Sequence, residues 1–265
     1  MHRLTTDSDI TLYSRFECKY LVSPLIVPQI REFVGTFMRP DRFASLREGY
    51  RYPVCSLYLD TDDFQLYQQT VGGNKNRFKL RVRTYSDEPS KPAFYEVKRK
   101  LNNVVQKRRA VLDRDRTREM IEEGVNGWVR HSNRALLSDA EYFSSHVALT
   151  SAKPVLKVRY MRDAYESKSG EPVRITIDTD LMHAVTLDHD LTFEQGRWVS
   201  TPVSGTILEV KFTERYPDWV ADLVRTFGLK QQPVPKYCWS VDHVLMAGRE
   251  SALAMAGFTL PPRRA

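Results

Sequence analysis

Positively charged residues recur at alternate positions in five short segments with strand-like composition. Residues i and i+2 of a β-strand share a face, so each segment would present charges on one face and apolar side chains on the other. Most of the charges are Arg and Lys, and Arg is suited to bidentate contact with phosphate. The segments are Arg77-Phe-Lys79-Leu-Arg81-Val-Arg83, Glu96-Val-Lys98-Arg-Lys100, Lys157-Val-Arg159-Tyr-Met-Arg162, Arg174-Ile-Thr-Ile-Asp178 and Glu209-Val-Lys211.

This alternation has two interpretations. Any antiparallel strand with one face in water shows the same pattern. If several such strands instead close on themselves with the charges inside, the lumen is basic and suits a long polyanion. We therefore predict an α+β fold in which a closed antiparallel β-barrel (tunnel) has helices packed outside.

The elements of this fold follow from hydrophobic periodicity and from turn residues. The chain contains no convincing linker or internal repeat, so a single domain over residues 1–265 is expected. Strands are predicted at 13–22, 54–60, 77–85, 92–99, 104–112, 154–162, 172–178 and 205–212, with a further pair in 183–195. Helices are predicted at 24–38, 61–72, 114–149, 217–228 and 239–255.

Composition limits the classes of partner. The chain has 265 residues with a net charge of +7 and a pI of about 9.3, which makes an anionic partner plausible. Nucleic acid is not expected, because the chain has no zinc-finger spacing, no RNP-like motif and no basic tract longer than Lys107-Arg108-Arg109. Three separated cysteines, no signal peptide and no membrane-spanning run predict a cytoplasmic protein, so any membrane coupling would need a separate partner protein.

Other catalytic patterns are weak. The six histidines show no metal-ligand spacing, and no nucleophile-elbow or Walker-type loop is present. Asp60 and Asp62 lie at the end of a predicted strand, where a turn residue and a helix cap are the expected roles.

Seven motifs, in order along the chain, resemble those of the polyphosphate polymerase domain of the vacuolar transporter chaperone (VTC) proteins. This domain belongs to the triphosphate tunnel metalloenzymes, which are related to the CYTH proteins. The resemblance covers about residues 13–247. The motifs are Arg15-Phe-Glu17-Cys-Lys19-Tyr20, Ser56-Leu-Tyr-Leu-Asp60-Thr, Lys79-Leu-Arg81-Val-Arg83-Thr-Tyr85, Phe94-Tyr-Glu96-Val-Lys98, Arg174-Ile-Thr-Ile-Asp178, Leu208-Glu209-Val-Lys211 and Pro235-Lys236-Tyr237.

The resemblance implies a metal-dependent ATP:polyphosphate phosphotransferase with Mn²⁺ or Mg²⁺ as cofactor and with ATP and inorganic polyphosphate as partners. It implies catalytic roles for Lys236, Arg81, Arg83 and Lys98. It implies phosphate contacts for Lys19, Lys79, Lys107, Tyr160, Arg162, Arg174 and Lys211. Glu209 would be the metal ligand, with Glu17 and Glu96 as secondary candidates; either could instead pair with neighbouring cations, and for Glu96 this is the favoured interpretation.

Two alternative functions stay open, and one departure from the family's motifs bears on them. Pro235 stands where the family usually has Ser, so a hydroxyl contact to phosphate is lost, and a non-catalytic polyphosphate-binding protein is one alternative. The other is a hydrolase of inorganic or organic triphosphates. Hydrolytic relatives tend to begin with Glu-x-Glu-x-Lys, whereas Arg15 occupies the first of these positions here, which favours the polymerase.

Overall fold

Ten strands and seven α-helices make up the computed structural model, which describes residues 15–102, 104–125, 134–169, 172–194, 196–213 and 215–262. The strands are β1 (Arg15–Val22), β2 (Met38–Pro40), β3 (Arg51–Asp60), β4 (Asn76–Thr84), β5 (Ala93–Leu101), β6 (Val104–Leu112), β7 (Lys153–Ser167), β8 (Arg174–Val185), β9 (Val199–Ser200) and β10 (Thr206–Thr213). The helices are α1 (Val27–Phe37), α2 (Gln65–Val71), α3 (Thr117–Glu122), α4 (Arg134–Thr150), α5 (Asp218–Thr226), α6 (Lys236–Met246) and α7 (Ser251–Met255).

The strands form one sheet with the order β1-β10-β8-β7-β3-β4-β5-β6, while β2 pairs with β7 and β9 pairs with β8. Within the described residues β1 and β6 do not pair with each other, so they are the two edges of an open sheet. The α+β class is confirmed, but the predicted closed barrel is wrong. Alternating charge specifies which face of a strand is polar, whereas closure also needs matching strand tilt and register between the first and last strands.

The strand pair predicted within 183–195 is also wrong. β8 continues to Val185, and residues 186–194 form no strand. Side chains compete for the backbone there: Thr186 Oγ1 accepts from the Asp188 amide, and Asp190 Oδ1 accepts from the Thr192 amide. Such local bonds offer the backbone an alternative to pairing in a sheet.

The helix predictions need two changes. The segment 239–255 contains two helices, because Gly248 adopts a left-handed conformation with φ +65° between α6 and α7. The segment 114–149 contains α3 and α4, and its residues 126–133 lie outside the described part of the chain. No helix of the described residues is long and apolar enough to span a membrane.

The contacts divide the chain into two interleaved units, and the prediction of a single domain stays a prediction. Unit 1 comprises residues 1–52, 162–179 and 203–234, and unit 2 comprises 53–161, 180–202 and 235–265.

Unit 1 has an apolar face and a charged face on β1, β10 and the first half of β8. Helix α1 buries Ile30 and Val34 in the same cluster as Ile175 and Leu208 from the strands. Glu209 of β10 points to the other face, because side chains alternate along the strand. Thus α1 covers the apolar face, and the charged side chains lie on the opposite face of the strands.

Unit 2 shows the same division on β3 to β6. Leu80, Tyr95 and Ala110 lie in one buried cluster with Phe143 and Val147 of α4. Intervening residues of the same strands carry the cations predicted from the sequence, and they point away from α4.

Alanine substitutions at two glycines of unit 1 are expected to change the free energy of unfolding in opposite directions. A Cβ on Gly205 would lie 2.6 Å from the Val22 carbonyl oxygen, where the chain enters β10, whereas a Cβ on Gly35 in α1 meets nothing within 4 Å. We expect Gly205→Ala to lower the free energy of unfolding by about 1–3 kcal/mol through steric strain. Gly35→Ala should raise it by up to about 1 kcal/mol through helix propensity. Urea denaturation followed by circular dichroism measures both, and equal effects of the two substitutions would contradict the predicted close approach at Gly205.

Candidate functional site

A single buried carboxylate in unit 2 is surrounded by cations from two neighbouring strands. Glu96 of β5 is opposite Arg81 of β4 on one side and opposite Arg109 of β6 on the other. Arg81 Nε donates to Glu96 Oε2 at 2.6 Å, Arg109 Nε donates to Oε1 at 2.7 Å, and Lys107 Nζ lies 2.8 Å from Oε1. The Glu96 side chain is fully buried, whereas the three cations keep partial exposure.

Electrostatics of this cluster are dominated by positive charge. Burial alone would raise the pKa of Glu96, but Arg81, Arg83, Lys107 and Arg109 hold it well below its usual range. Desolvation, joined by repulsion from Arg109 and Arg81 and opposed by Glu96, lowers the pKa of Lys107 to about 7. One negative charge is therefore shared among several positive ones, and the excess is available to an anion.

Arg83 is the most unusual cation of this face. The residue is 6% exposed, and its guanidinium donates from Nε to Ser56 Oγ at 3.0 Å and from Nη2 to the Tyr160 hydroxyl at 3.4 Å. Within the described part of the chain, no carboxylate forms a salt bridge with it. Buried arginines are normally paired with an anion, so this one has the environment expected for an absent anionic ligand.

Tyr58 senses the same positive potential. Its hydroxyl accepts from Arg81 Nη1 at 3.3 Å, and its ring stacks on Tyr237 with centroids 4.7 Å apart. Burial would raise the pKa of Tyr58, but Arg81, Arg83 and Lys79 lower it to about 8. The lowered pKa follows from the three cations on the same face, which favour the ionised phenolate.

The partner ring of Tyr58 is fixed by a buried carboxylate. The Tyr237 hydroxyl donates to Asp60 Oδ2 at 2.7 Å, and the same carboxylate accepts from the amides of Leu66 and Tyr67 in α2. Asp60, rather than Asp62, is therefore the residue that caps α2, and through Tyr237 it also holds α6 in place.

Lys236 begins α6 and lies close to the Arg83 region. Its Nζ is 4.8 Å from the centroid of the Tyr160 ring, and the Tyr160 hydroxyl accepts from Arg83. Pro235 occupies the N-cap of α6 and makes no side-chain cap hydrogen bond. The predicted residues Arg81, Arg83, Lys236 and Tyr160 are thus gathered within one unit, and the helix start beside them presents no hydroxyl at position 235.

Three more predicted cations share a row across the strands. Lys79 of β4 is opposite Lys98 of β5, which is opposite Lys107 of β6. Like charges at directly opposed positions are unfavourable in a sheet. Such a row suits a ligand with several negative charges.

Unit 1 carries a different arrangement, in which charges of both signs alternate. Glu17 and Lys19 of β1 are opposite Lys211 and Glu209 of β10, respectively. Lys19 Nζ lies 2.7 Å from Glu17 and 3.5 Å from Glu209, while Lys211 Nζ lies 2.6 Å from Glu209 and 3.8 Å from Glu17. Burial opposes the positive charge of Lys19, but Glu209 and Glu17 raise its pKa.

The two predicted arginines of unit 1 are engaged with carboxylates. Arg162 forms a bidentate pair with Asp178, at 2.7 Å for each bond, and Arg174 Nη2 donates to Asp41 Oδ2 at 2.6 Å. Arg162 and Arg174 therefore have compensated charges, and their assignment to phosphate stays a prediction.

The carboxylates differ in how well they fit the implied Mn²⁺ or Mg²⁺. Glu96 does not fit, because its oxygens are taken by three cations. Glu17 and Glu209 are also paired with lysines, but they supply two carboxylates on one face. Among the described residues, the buried hydroxyl of Thr176, opposite Glu209, has no hydrogen-bond partner. Oxygen ligands of this kind are those that both metals prefer. Within the described residues no group of three or more His, Cys, Asp or Glu side chains could hold a metal.

Sequence reasoning assigned no role to several residues that the structure brings into the site. Ser56 and Tyr58 belong to a motif used for the resemblance, and they share a face of β3 because they are two residues apart. Both could therefore have been proposed as site residues from the sequence. Arg109 was visible only as part of a basic tract, and its contact with Glu96 depends on the register of β5 and β6.

The sequence profile of the VTC domain family matches residues 14–245. The chain therefore belongs to the VTC domain family, which confirms the resemblance seen in the motifs. No curated protein matches the chain significantly.

Two solved structures are similar to this chain at low identity. One is a protein of Bacillus halodurans provisionally described as an adenylate cyclase, with 15% identity, a TM-score of 0.46 and coverage of 82% of this chain and 91% of its own. The other is the PH1819 protein of Pyrococcus horikoshii OT3, with 13% identity, a TM-score of 0.42 and coverage of 89% of this chain and 99% of its own.

Tyr58 offers a spectroscopic test of the positive potential. We expect it to ionise near pH 8, whereas ordinary tyrosines ionise near pH 10. Absorbance at the tyrosinate band, titrated for the wild type and for Tyr58→Phe, gives the Tyr58 curve by difference. Tripolyphosphate should move this curve to higher pH, because a bound polyanion cancels the surrounding charge. A difference curve with its midpoint near pH 10 in the free protein would contradict the proposed potential.

Proposed function

We propose that this protein is a metal-dependent polyphosphate polymerase that transfers the γ-phosphate of ATP to the end of a polyphosphate chain. Its membership of the VTC domain family makes a phosphate-transferring enzyme the natural candidate. The observation that carries the proposal is Arg83, a buried guanidinium bound only to neutral hydroxyls among the described residues. It lies beside Arg81 and the other cations that share Glu96.

The chemistry needs alignment and positive charge more than covalent participation. In phosphoryl transfer, negative charge is distributed over the oxygens of the transferred group and over the bridging and attacking oxygens. Fixed cations in a buried setting stabilise that charge without reorganising during the reaction. Arg81 and Arg83, two residues apart on β4, would hold adjacent phosphates from a rigid strand. Lys236, at the start of α6, would neutralise charge on the nucleotide phosphates.

Each carboxylate would have a distinct role in this reaction. Glu96 holds Arg81, Lys107 and Arg109 in position, so we assign it to orienting cations and not to metal binding. Glu209 and Glu17 would hold Mn²⁺ or Mg²⁺, which supplies further positive charge to phosphate oxygens when bound. Lys19 and Lys211 would then be released from these carboxylates and could pair with phosphate.

One specific observation favours a second candidate, a protein that binds polyphosphate without turnover. Pro235 occupies the N-cap of α6 next to Lys236 and has no hydroxyl to donate to a phosphate. The cations of unit 2 would still bind the chain, since Arg81 and Lys107 are held by Glu96 and Arg83 by Ser56 and Tyr160.

The substitution Arg83→Met distinguishes a role of Arg83 in ligand binding from a role in stabilising the fold. Among the described residues the buried guanidinium bonds hydroxyls and forms no salt bridge, which is costly in the free protein, and an apolar side chain of similar length fills the same space. We expect the free energy of unfolding to stay unchanged or to rise by about 1 kcal/mol. Tripolyphosphate binding, measured by calorimetry, should weaken at least tenfold.

The matched control is Arg108→Met, which removes the same charge from the opposite face of the sheet, where Arg108 bonds Asp139 on α4. This variant should bind tripolyphosphate almost as the wild type does. If Arg83→Met bound as tightly as Arg108→Met, Arg83 would have no part in the phosphate site.

The activity itself is tested with purified protein, ATP and Mn²⁺, with and without a short polyphosphate primer. Gel analysis should show lengthening chains, and ADP should form in equal amount to the phosphate incorporated. Arg81→Ala and Lys236→Ala should abolish synthesis while their circular dichroism spectra stay unchanged. Orthophosphate release without chain growth would assign a hydrolase, and binding without either product would assign the non-catalytic protein. Near-normal synthesis by both variants would contradict this assignment of residues.

A further inference from the structure

Thr176 has an environment that its place in the fold does not explain. It lies near the start of β8, the residue is 2% exposed, and its Oγ1 has no hydrogen-bond partner among the described residues. A buried hydroxyl without a partner costs free energy, whereas Val would fill the same space without that cost. A hydroxyl kept at such a position therefore points to a ligand.

The register shows where this hydroxyl is directed. Thr176 is directly opposite Glu209 of β10, and Glu209 is directly opposite Lys19 of β1. Residues opposed in this way have side chains on the same face, with Cβ atoms about 5 Å apart. The hydroxyl thus belongs to the charged face of unit 1, and the apolar cluster with α1 lies on the other face.

The neighbouring carboxylates are close to each other. Lys19 Nζ contacts both Glu17 and Glu209, at 2.7 and 3.5 Å, so the two carboxylates flank one ammonium group. Lys211 bridges them in the same way. Both carboxylates are therefore paired with positive charge, and the Thr176 hydroxyl lies on the same face as these pairs, directly across from Glu209.

We propose that the Thr176 hydroxyl is a third protein oxygen ligand, beside Glu209 and Glu17, for a hard divalent cation such as Mn²⁺ or Mg²⁺. The inference rests on the proposed function, since it extends the cation site described there. A hydroxyl is a neutral ligand, so it adds an oxygen contact without adding charge to a face whose two carboxylates are already balanced by two lysines. Thr176 would thus raise affinity for the cation and leave the electrostatic balance unchanged.

Binding of Mn²⁺ alone, followed by electron paramagnetic resonance, tests this without any activity measurement. Thr176→Val removes the hydroxyl and keeps the shape, and we expect it to weaken Mn²⁺ binding about tenfold. Thr176→Ser keeps the hydroxyl, and its affinity for Mn²⁺ should be within about twofold of that of the wild type. If the valine variant is unstable, a much weaker affinity of the serine variant would contradict the inference. The matched control is Thr206→Val on β10, because Thr206 lies on the opposite face of that strand from Glu209.

Glu209→Gln distinguishes failure of this inference from failure of the cation site as a whole. If Glu209→Gln abolishes Mn²⁺ binding and Thr176→Val weakens it, the inference is supported. If Glu209→Gln abolishes binding and Thr176→Val does not change it, Thr176 is not a ligand although the cation site exists. If neither changes Mn²⁺ binding, both the site and the inference are wrong. Loss of tripolyphosphate binding with unchanged Mn²⁺ binding in Thr176→Val would assign the hydroxyl to phosphate and overturn the inference.

Discussion

The arrangement of unit 2 depends on one carboxylate that holds together more positive charge than it can neutralise. Glu96 accepts from Arg81 and Arg109 and pairs with Lys107, and these contacts fix side chains from β4 and β6 against β5. Without a shared anion, mutual repulsion would turn these long side chains outward into solvent. With it, they stay in place and still present a net positive charge. The cluster is thus ordered before any ligand arrives, which lowers the entropic cost of binding.

The face described in unit 1 follows another principle. There, two carboxylates and two lysines alternate, so the face is close to neutral and its groups satisfy each other. A balanced face of this kind does not attract a polyanion by net charge. It can, however, exchange partners, because a lysine that leaves a carboxylate for a phosphate makes that carboxylate available to a metal. The described face of unit 2 thus carries an excess of positive charge, whereas that of unit 1 carries balanced pairs that can exchange partners.

The charged faces of the strands could be predicted from the sequence, because the alternation of charge along a strand determines which face the charges occupy. Arg81, Arg83 and Lys79 were therefore placed on one face correctly, and the family followed from the order of the motifs. Closure of the sheet was predicted wrongly, since no residue type marks whether β1 and β6 pair. The contacts of Glu96 depend on the register of β5 with its neighbours β4 and β6, and the position of Thr176 opposite Glu209 depends on the register of β8 with β10. That register is set by packing of the apolar faces against α1 and α4, which a single sequence does not specify residue by residue.

The open edge at β6 has a consequence for behaviour in concentrated solution. An edge strand exposes unpaired backbone groups that can pair with the edge of another molecule. Val104 and Val105 are exposed at the start of β6, so the apolar part of this edge alone would favour such association. Lys107 and Arg109 on the same strand make two copies of the edge repel each other. This repulsion reaches only about 10 Å at 0.1 M salt, so the colloidal stability of the protein is coupled to ionic strength through cations of the proposed phosphate site.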